Sequence, residues 1–394
     1  MADKKSVTAI SLITAACLVG DSMLYIVLPL YWQEMGLESL WQVGVILSMN
    51  RLARLPLNPF VSFLYRRISA RSGFLFAVFL SVVTTAGYGV VSNFWLFIML
   101  RCIWGLAWTF FRLGAYFTIL DTADDRGRAR LFGLYNGLYR LGSLVGMLLS
   151  GLCADMMGVE FTAFLFAALS AACVPFVFAY IKNTDGGMVA EQAEQETSFS
   201  LLEHRHLLGV LSIGMFVALI YQGVIASTLS YLIDVHSGPS ISLAGAVIGA
   251  ATLSGIIQAL RWGWEPWLAP LFGTLCGRRN GAWRILIIST ATGSILFFLV
   301  TLHMPIYLWL ALLILLQVMG TSLTTVADVI AANEAVSSAR VKIITAYSLL
   351  VDIGAAAGPA AAYLINEYIS AYASYWLCGM ILLAITLCCA PKFK

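Results

Sequence analysis

Asp21, Glu265 and Asp352, with Asp328 nearer the end of its run, are carboxylates set in stretches otherwise built from Leu, Ile, Val, Phe, Ala and Gly. Arg51, Arg54, Arg101, Arg112, Arg140 and Arg261 are guanidiniums in the same setting. A charge in apolar surroundings is costly unless it faces a partner or a wet cavity. Such groups either form structural ion pairs or carry chemistry: a carboxylate whose partner can be drawn off exchanges a proton, and a guanidinium forks onto carboxylate or phosphate. Arg101, Trp104, Gly105, Trp108 and Arg112 follow helical spacing and share one face. Two guanidiniums and two indoles on one face suit an anionic group with a flat apolar body. Asp21 and Tyr25 stand one turn apart on an earlier helix, and Asp21 is the leading site for proton exchange, with Asp352 and Glu265 behind it. Arg51 and Arg261 add to a positive surplus around Asp21. The bland alternative is that the arginines neutralise helix ends or Asp21 and the tryptophans anchor at an interface. Asn50, Asn58, Tyr221, Gln222, Tyr231 and Gln317 either touch a ligand or join helices.

These residues must be positioned by membrane-spanning helices. The chain has 394 residues, 60% hydrophobic and 11% charged, against about 25% charged in an average soluble domain. Apolar runs of helical length occur at 8–31, 41–65, 73–91, 94–120, 131–153, 160–181, 207–232, 243–275, 283–302, 305–331, 342–364 and 371–390. Each is long enough to cross a hydrocarbon core of about 30 Å, which predicts twelve spans and leaves no room for a separate soluble catalytic domain. The eighth run is longer than the bilayer is thick, with Gly263 and Pro266 as places to bend. The basic start followed by a long apolar run is read as a retained first helix rather than a cleaved leader. No glycine is followed by lysine, so the phosphate loop of an ATPase is absent and an ion gradient is the expected energy source. The eight cysteines lack disulfide or metal spacing and are read as small core residues, and His204 and His206 as exposed linker residues. Neither a metal nor a cofactor is expected, nor an enzymatic activity or a nucleic-acid partner.

Charge placement sets the orientation. With both termini cytoplasmic, the Lys and Arg outside the spans all fall in cytoplasmic segments, from Lys4, Lys5, Arg66, Arg67 and Arg71 to Arg340, Lys342, Lys392 and Lys394. The outer loops then hold only acids and neutral residues: Glu34, Glu38, Asp155, Glu160, Asp234 and Glu367. The polar stretch at 182–206 reads as a cytoplasmic linker between bundles at 1–181 and 207–394. Those halves superpose at an offset near 211: Pro59, Leu64 and Arg67 fall on Pro270, Leu275 and Arg278, and Gly142 and Gly146 on Gly354 and Gly358. An internal repeat of six spans is the pattern of a secondary transporter.

Three local patterns resemble the major facilitator superfamily. SFLYRRISAR at 62–71 is similar to its loop GxLaDRxGRR, with Arg67 and Arg71 in place and Arg66 where an acid is usual. Arg101 and Gly105 match RxxxG in the fourth span. Gly133, Gly142, Gly146 and Gly151 match the antiporter pattern Gx8Gx3GPxxGG in the fifth, with Met147 and Ser150 as departures. The resemblance implies an all-α membrane protein of two pseudo-symmetric six-helix bundles working by alternating access, with the first and fourth spans lining a central cavity. It also implies that the second span faces the eleventh and the fifth the eighth. Because Arg54 aligns with Glu265 and Arg140 with Asp352, two gating salt bridges are expected, Arg54 with Asp352 and Arg140 with Glu265. GDSMLYIVLPLYW and NRLARLPLNPF resemble bacterial exporters of opine-type metallophores, which implies a carboxylate-rich substrate. The expected function is therefore proton-coupled export of a small anionic or zwitterionic metabolite by a monomer of the cytoplasmic membrane. A hydrophobic-drug antiporter, a lipid flippase and a sensor on a transporter scaffold are the competing readings.

Overall fold

A computed structural model describes residues 2–122, 125–181, 205–243, 246–277, 280–334 and 340–390. The expected linker at 182–206 lies outside these except for its last two residues. The helices are α1 (Ala2–Tyr31), α2 (Leu40–Tyr65), α3 (Ala70–Val90), α4 (Phe94–Thr122), α5 (Asp125–Met157), α6 (Val159–Ala171) and α7 (Val174–Tyr180). They continue as α8 (Arg205–Ala218), a π-helical turn (Leu219–Val224), α9 (Ile225–Ser237), α10 (Ala250–Cys276), α11 (Gly281–Leu299), α12 (Ile306–Glu334), α13 (Arg340–Tyr368) and α14 (Ala373–Cys389). These make twelve spans, because α6 with α7 and α8 with the π turn and α9 are single crossings. Among the described residues nine helices are long and apolar enough to cross a membrane. The second and eighth spans, which carry Arg51, Arg54, Arg261 and Glu265, and the seventeen-residue α14 fall outside that set.

Several spans differ from expectation, the sixth, seventh and eighth most visibly. The sixth breaks at Ala172–Cys173, because Pro175 in the first turn of α7 has no N–H to continue the ladder. The seventh runs five residues past its expected end and stops at Gly238, whose φ of 80° only glycine adopts readily. Asp234 is consequently in a last helical turn, not an outer loop; Asp155 and Glu367 are likewise the ends of α5 and α13. The eighth span is shortened to start at Ala250, because Ser240–Leu243 and Ala246–Gly249 pair as an antiparallel hairpin, β1 and β2. The cysteines are not uniformly core residues: Cys102 and Cys153 are half-buried and Cys388 is exposed, on flanks where apolar surroundings come from outside the chain.

The described chain forms two compact units. The first holds 1–38 and 49–197 with Ala251–Ala259 from the eighth span; the second holds 198–250 and 260–394 with Ser39–Ser48 from the second span. In the first, α5 lies against α1 so closely that a Cβ at Gly142 would run into the Ala15 backbone, and one at Gly146 would come within 2.9 Å of Val19. In the second, Gly354 meets Met215 and Gly358 meets Gly223 in the same way. The aligned glycines thus bring the fifth span onto the first and the eleventh onto the seventh. Small residues serve this role in lipid, where helices associate by close packing rather than by hydrophobic exclusion. Gly151 meets the Ala251 backbone, but Gly133 has nothing within 4 Å, so the antiporter-like glycines do not all serve packing.

Helix ends repeat the same relation. Within the first unit the Asp155 carboxylate accepts from Thr252 N at 3.0 Å and Thr252 Oγ1 at 2.5 Å, covering the start of α10, whose own N-cap Gly249 offers no side chain. Within the second, Glu367 Oε2 accepts from Trp41 N at 2.6 Å at the start of α2. Both carboxylates satisfy orphan N–H groups at a positive helix end, at positions related by the repeat. The loop at 66–69 is held by Tyr65, whose hydroxyl donates to Phe110 O at 2.8 Å, and by Arg71, whose Nε donates to Ile181 O at 2.7 Å at the end of the sixth span. Arg67 lies 5.1 Å over the Phe63 ring.

Candidate functional site

The first unit gathers three of its intramembrane charges, Asp21, Arg101 and Arg54, into one side-chain relay. Arg101 on α4 and Asp21 on α1 pair at 2.5 Å, with Arg101 fully buried and Asp21 7% exposed. Asn50 on α2 donates from Nδ2 to the same Asp21 Oδ1 at 3.1 Å, and its Oδ1 accepts from Arg54 Nη2. One amide therefore faces its donor to the carboxylate and its acceptor to a second arginine, an orientation both neighbours enforce. Asp21 anchors both ends of this chain, directly at Arg101 and through Asn50 at Arg54. Tyr25, one turn from Asp21, lies 5.8 Å beneath the Arg101 guanidinium.

An aromatic run continues from Arg54. Its guanidinium sits 5.1 Å over Trp108, which packs edge-on to Tyr139 at 5.4 Å. Tyr139 meets Tyr135 at 5.1 Å, Tyr135 meets Tyr116 at 6.1 Å, and Arg112 lies 5.7 Å from Tyr116. Trp108 and Tyr135 belong to the buried core of the first unit, so the groups of this run open to an anionic or flat apolar ligand are the Arg54 and Arg112 guanidiniums and the part-exposed Tyr116 and Tyr139 rings. Tyr135 and Tyr139 escaped sequence reasoning; their signal was the one-turn spacing on the fifth span, read there for its glycines and Arg140. Trp104, expected on the same face, is fully enclosed in the first unit's core.

The remaining site residues are placed as follows. Arg51 is half-buried and forms no hydrogen bond or ion pair among the described residues. Glu265 and Asp352 are half-buried and Arg140 is exposed. Arg261, in the second unit, donates to Tyr221 O at 2.8 Å within the π turn. There Ile225 N bonds back five residues to Ile220 O, and the guanidinium supports a backbone that departs from the α ladder. Tyr221 packs on Gly320, while Trp264 donates to Thr321 at 3.2 Å. Among the described residues no group of three or more His, Cys, Asp or Glu could hold a metal ion.

Twelve apolar spans in an internal repeat, with a relay of buried charges across three helices, define a multi-pass membrane transporter. The Major Facilitator Superfamily profile matches residues 10–264, and the chain belongs to that family. Over 228 residues it is 24% identical to "Uncharacterized MFS-type transporter YcaD" of Escherichia coli O45:K1 (strain S88 / ExPEC), covering 57% of each chain. Over 249 residues it is 24% identical to "Multidrug resistance protein MdtG" of Dickeya zeae (strain Ech586), covering 60% of each. The chain thus spans somewhat over half the length of these relatives. The crystal structure of the nucleoside transporter NupG superposes with a TM-score of 0.78 over all of both chains at 15% identity, a likeness of fold. Family and relatives are transporters of small molecules within the membrane, not enzymes.

Proposed function

We propose that the chain is a proton-coupled secondary transporter that exports a small anionic or zwitterionic metabolite, such as a carboxylate-rich metallophore, by alternating access. The observation that carries this reading is the Arg101–Asp21–Asn50–Arg54 relay. An arriving anion competes with Asp21 for Arg54 and Arg101, so substrate binding and the protonation state of Asp21 are linked. Binding and proton exchange then share one set of side chains, which is the requirement for coupling. Arg112 supplies the second anionic contact, and the part-exposed Tyr116 and Tyr139 rings supply the stacking surface. Arg51, Arg261 and Tyr25 complete the polar lining, and Trp104 supports Trp108 from the core. The pairs Arg54 with Asp352 and Arg140 with Glu265 gate the change of access, with Asp352 and Glu265 as further proton carriers. The bundles divide at 1–181 and 207–394, and the protein works as a monomer of the cytoplasmic membrane with both termini inside.

A second reading, hydrophobic-drug efflux, is favoured by the relative named as a multidrug resistance protein. Proton flux in proteoliposomes with an imposed gradient separates the two. Acidic amphiphiles trigger flux in the wild type and not in Asp21→Asn if the anion reading holds. Flux elicited by cationic drugs alone overturns it.

A further inference from the structure

Among the described residues, one flank of the first unit carries a groove of about 800 Å³ that the transport reading does not use. It lies beside the break in the sixth span, where α6 stops at Ala171 and the chain restarts as α7 with Pro175 in its first turn. One wall is a single face of α1, in which Lys5, Thr8, Ala9, Leu12 and Ile13 recur at helical spacing. The other wall is Cys173, Phe176 and Tyr180, with the Phe176 and Tyr180 rings stacked at 6.5 Å. Ser6 Oγ donates to Tyr180 O at 3.2 Å, so Lys5 and Tyr180 stand at the same end.

The polarity of this groove is graded. A cation, a hydroxyl and a phenol occupy one end; seven residues along α1, about 10 Å deeper, the lining is Leu12, Ile13, Phe176 and Cys173, whose thiol donates to Leu169 O. That is the polarity profile of a phospholipid from headgroup to acyl chain, and the tyrosine sits where an interfacial aromatic belongs. Leu12, Phe176 and Tyr180 are about half exposed, so the groove opens outward onto the flank that hydrocarbon must cover. Lys5 is the one charge in the lining and it is positive. We infer that this groove binds one anionic phospholipid of the surrounding bilayer, its phosphate on Lys5 and an acyl chain along Leu12, Ile13 and Phe176.

The test is native mass spectrometry of the purified full chain, titrated with phosphatidylglycerol or phosphatidylcholine of matched acyl chains. The wild type should retain one phosphatidylglycerol about fivefold more strongly than phosphatidylcholine, the worth of one lysine at an anionic surface. Lys5→Gln should bring the two lipids to parity, whereas Arg284→Gln, an exposed cation in the other unit, should leave the preference intact. Ala9→Phe, which fills the furrow, should remove the retained lipid of either headgroup. The inference falls if the wild type shows no preference, if Lys5→Gln keeps it, or if Ala9→Phe retains the same lipid. It falls equally if the wild type retains neither, since something else then fills the groove.

Discussion

Replacing Asp21 by Leu should leave the Arg101 guanidinium charged, fully buried and without its carboxylate at 2.5 Å. At that distance the gross attraction is about 7 kcal/mol for an effective dielectric near 20, most of it offset by the desolvation of two ions. The net worth of the pair is therefore small, yet removing one partner alone costs about 3–5 kcal/mol, because the other charge stays buried. Arg101→Met should cost a similar amount from the opposite side. The double variant should recover most of the loss, falling short by about 1–3 kcal/mol because Asn50 Nδ2 also loses its acceptor. For a unit of 150–250 residues about 2–4 °C accompanies each kcal/mol, so each single variant should melt about 6–20 °C below wild type. Thermal unfolding in detergent, followed by tryptophan fluorescence, reads this directly, and a double-mutant cycle isolates the coupling. Single variants within about 2 °C of wild type, or a double variant as low as the summed singles, would refute the buried-pair reasoning. Transport should be absent from all three if Asp21 carries the proton as proposed, since that carboxylate or its partner is gone.

Arg112→Ala should abolish transport of acidic substrates; retained transport of a cationic drug in the same vesicles would instead assign Arg112 to structure. Gly142→Val should destabilise the first unit by about 1–3 kcal/mol or more, because its Cβ meets the Ala15 backbone, while Gly133→Val changes stability by about 0.5 kcal/mol or less. Melting of the two variants side by side checks the contrast, and equal losses would contradict the packing assigned to these glycines. Arg54→Asp and Asp352→Arg should each stop transport, and their combination should restore it in part; no recovery means the two residues are not a gating pair.

The number of spans was legible because about 20 apolar residues per crossing leave few ways to divide this chain. Helix ends were less so. Hydropathy follows the hydrocarbon slab, whereas α5, α9 and α13 continue through polar Asp155, Asp234 and Glu367, whose backbones remain helical beyond the apolar segment. The hairpin before Ala250 was hidden by the apolar composition of Ala246–Gly249, which suits a buried helix as well as a strand. At the site, composition and helical spacing exposed Asp21, Arg101, Trp108 and Arg112. They did not reveal that Asn50 joins Asp21 to Arg54, because a hydrogen bond between helices depends on their relative rotation and depth. Nor did a shared helical face reveal that Trp104 and Trp108 are both buried in the first unit's core, because burial depends on what the neighbouring helices place over them.

The internal repeat also says which charges the scaffold needs. At an offset of 211 or 212 Asp21 corresponds to Leu232 or Ile233, and Arg101 to Leu312 or Leu313. Arg112 corresponds to Leu323 or Thr324. The second unit thus forms the same spans with Leu232, Ile233, Leu313 and Leu323 buried where the first unit carries ions. The shared packing, by contrast, is kept: Gly142 and Gly146 match Gly354 and Gly358, and the carboxylate of Asp155 at a helix start matches that of Glu367. One architecture held by both halves does not require the Asp21–Arg101 pair, since apolar side chains fill those places in the other half at no cost in desolvation. Under the proposed function the pair does what a leucine cannot, exchanging a proton and releasing a guanidinium to an anion. The double variant is decisive: a chain that folds with Asp21→Leu and Arg101→Met but no longer transports separates the scaffold from its chemistry.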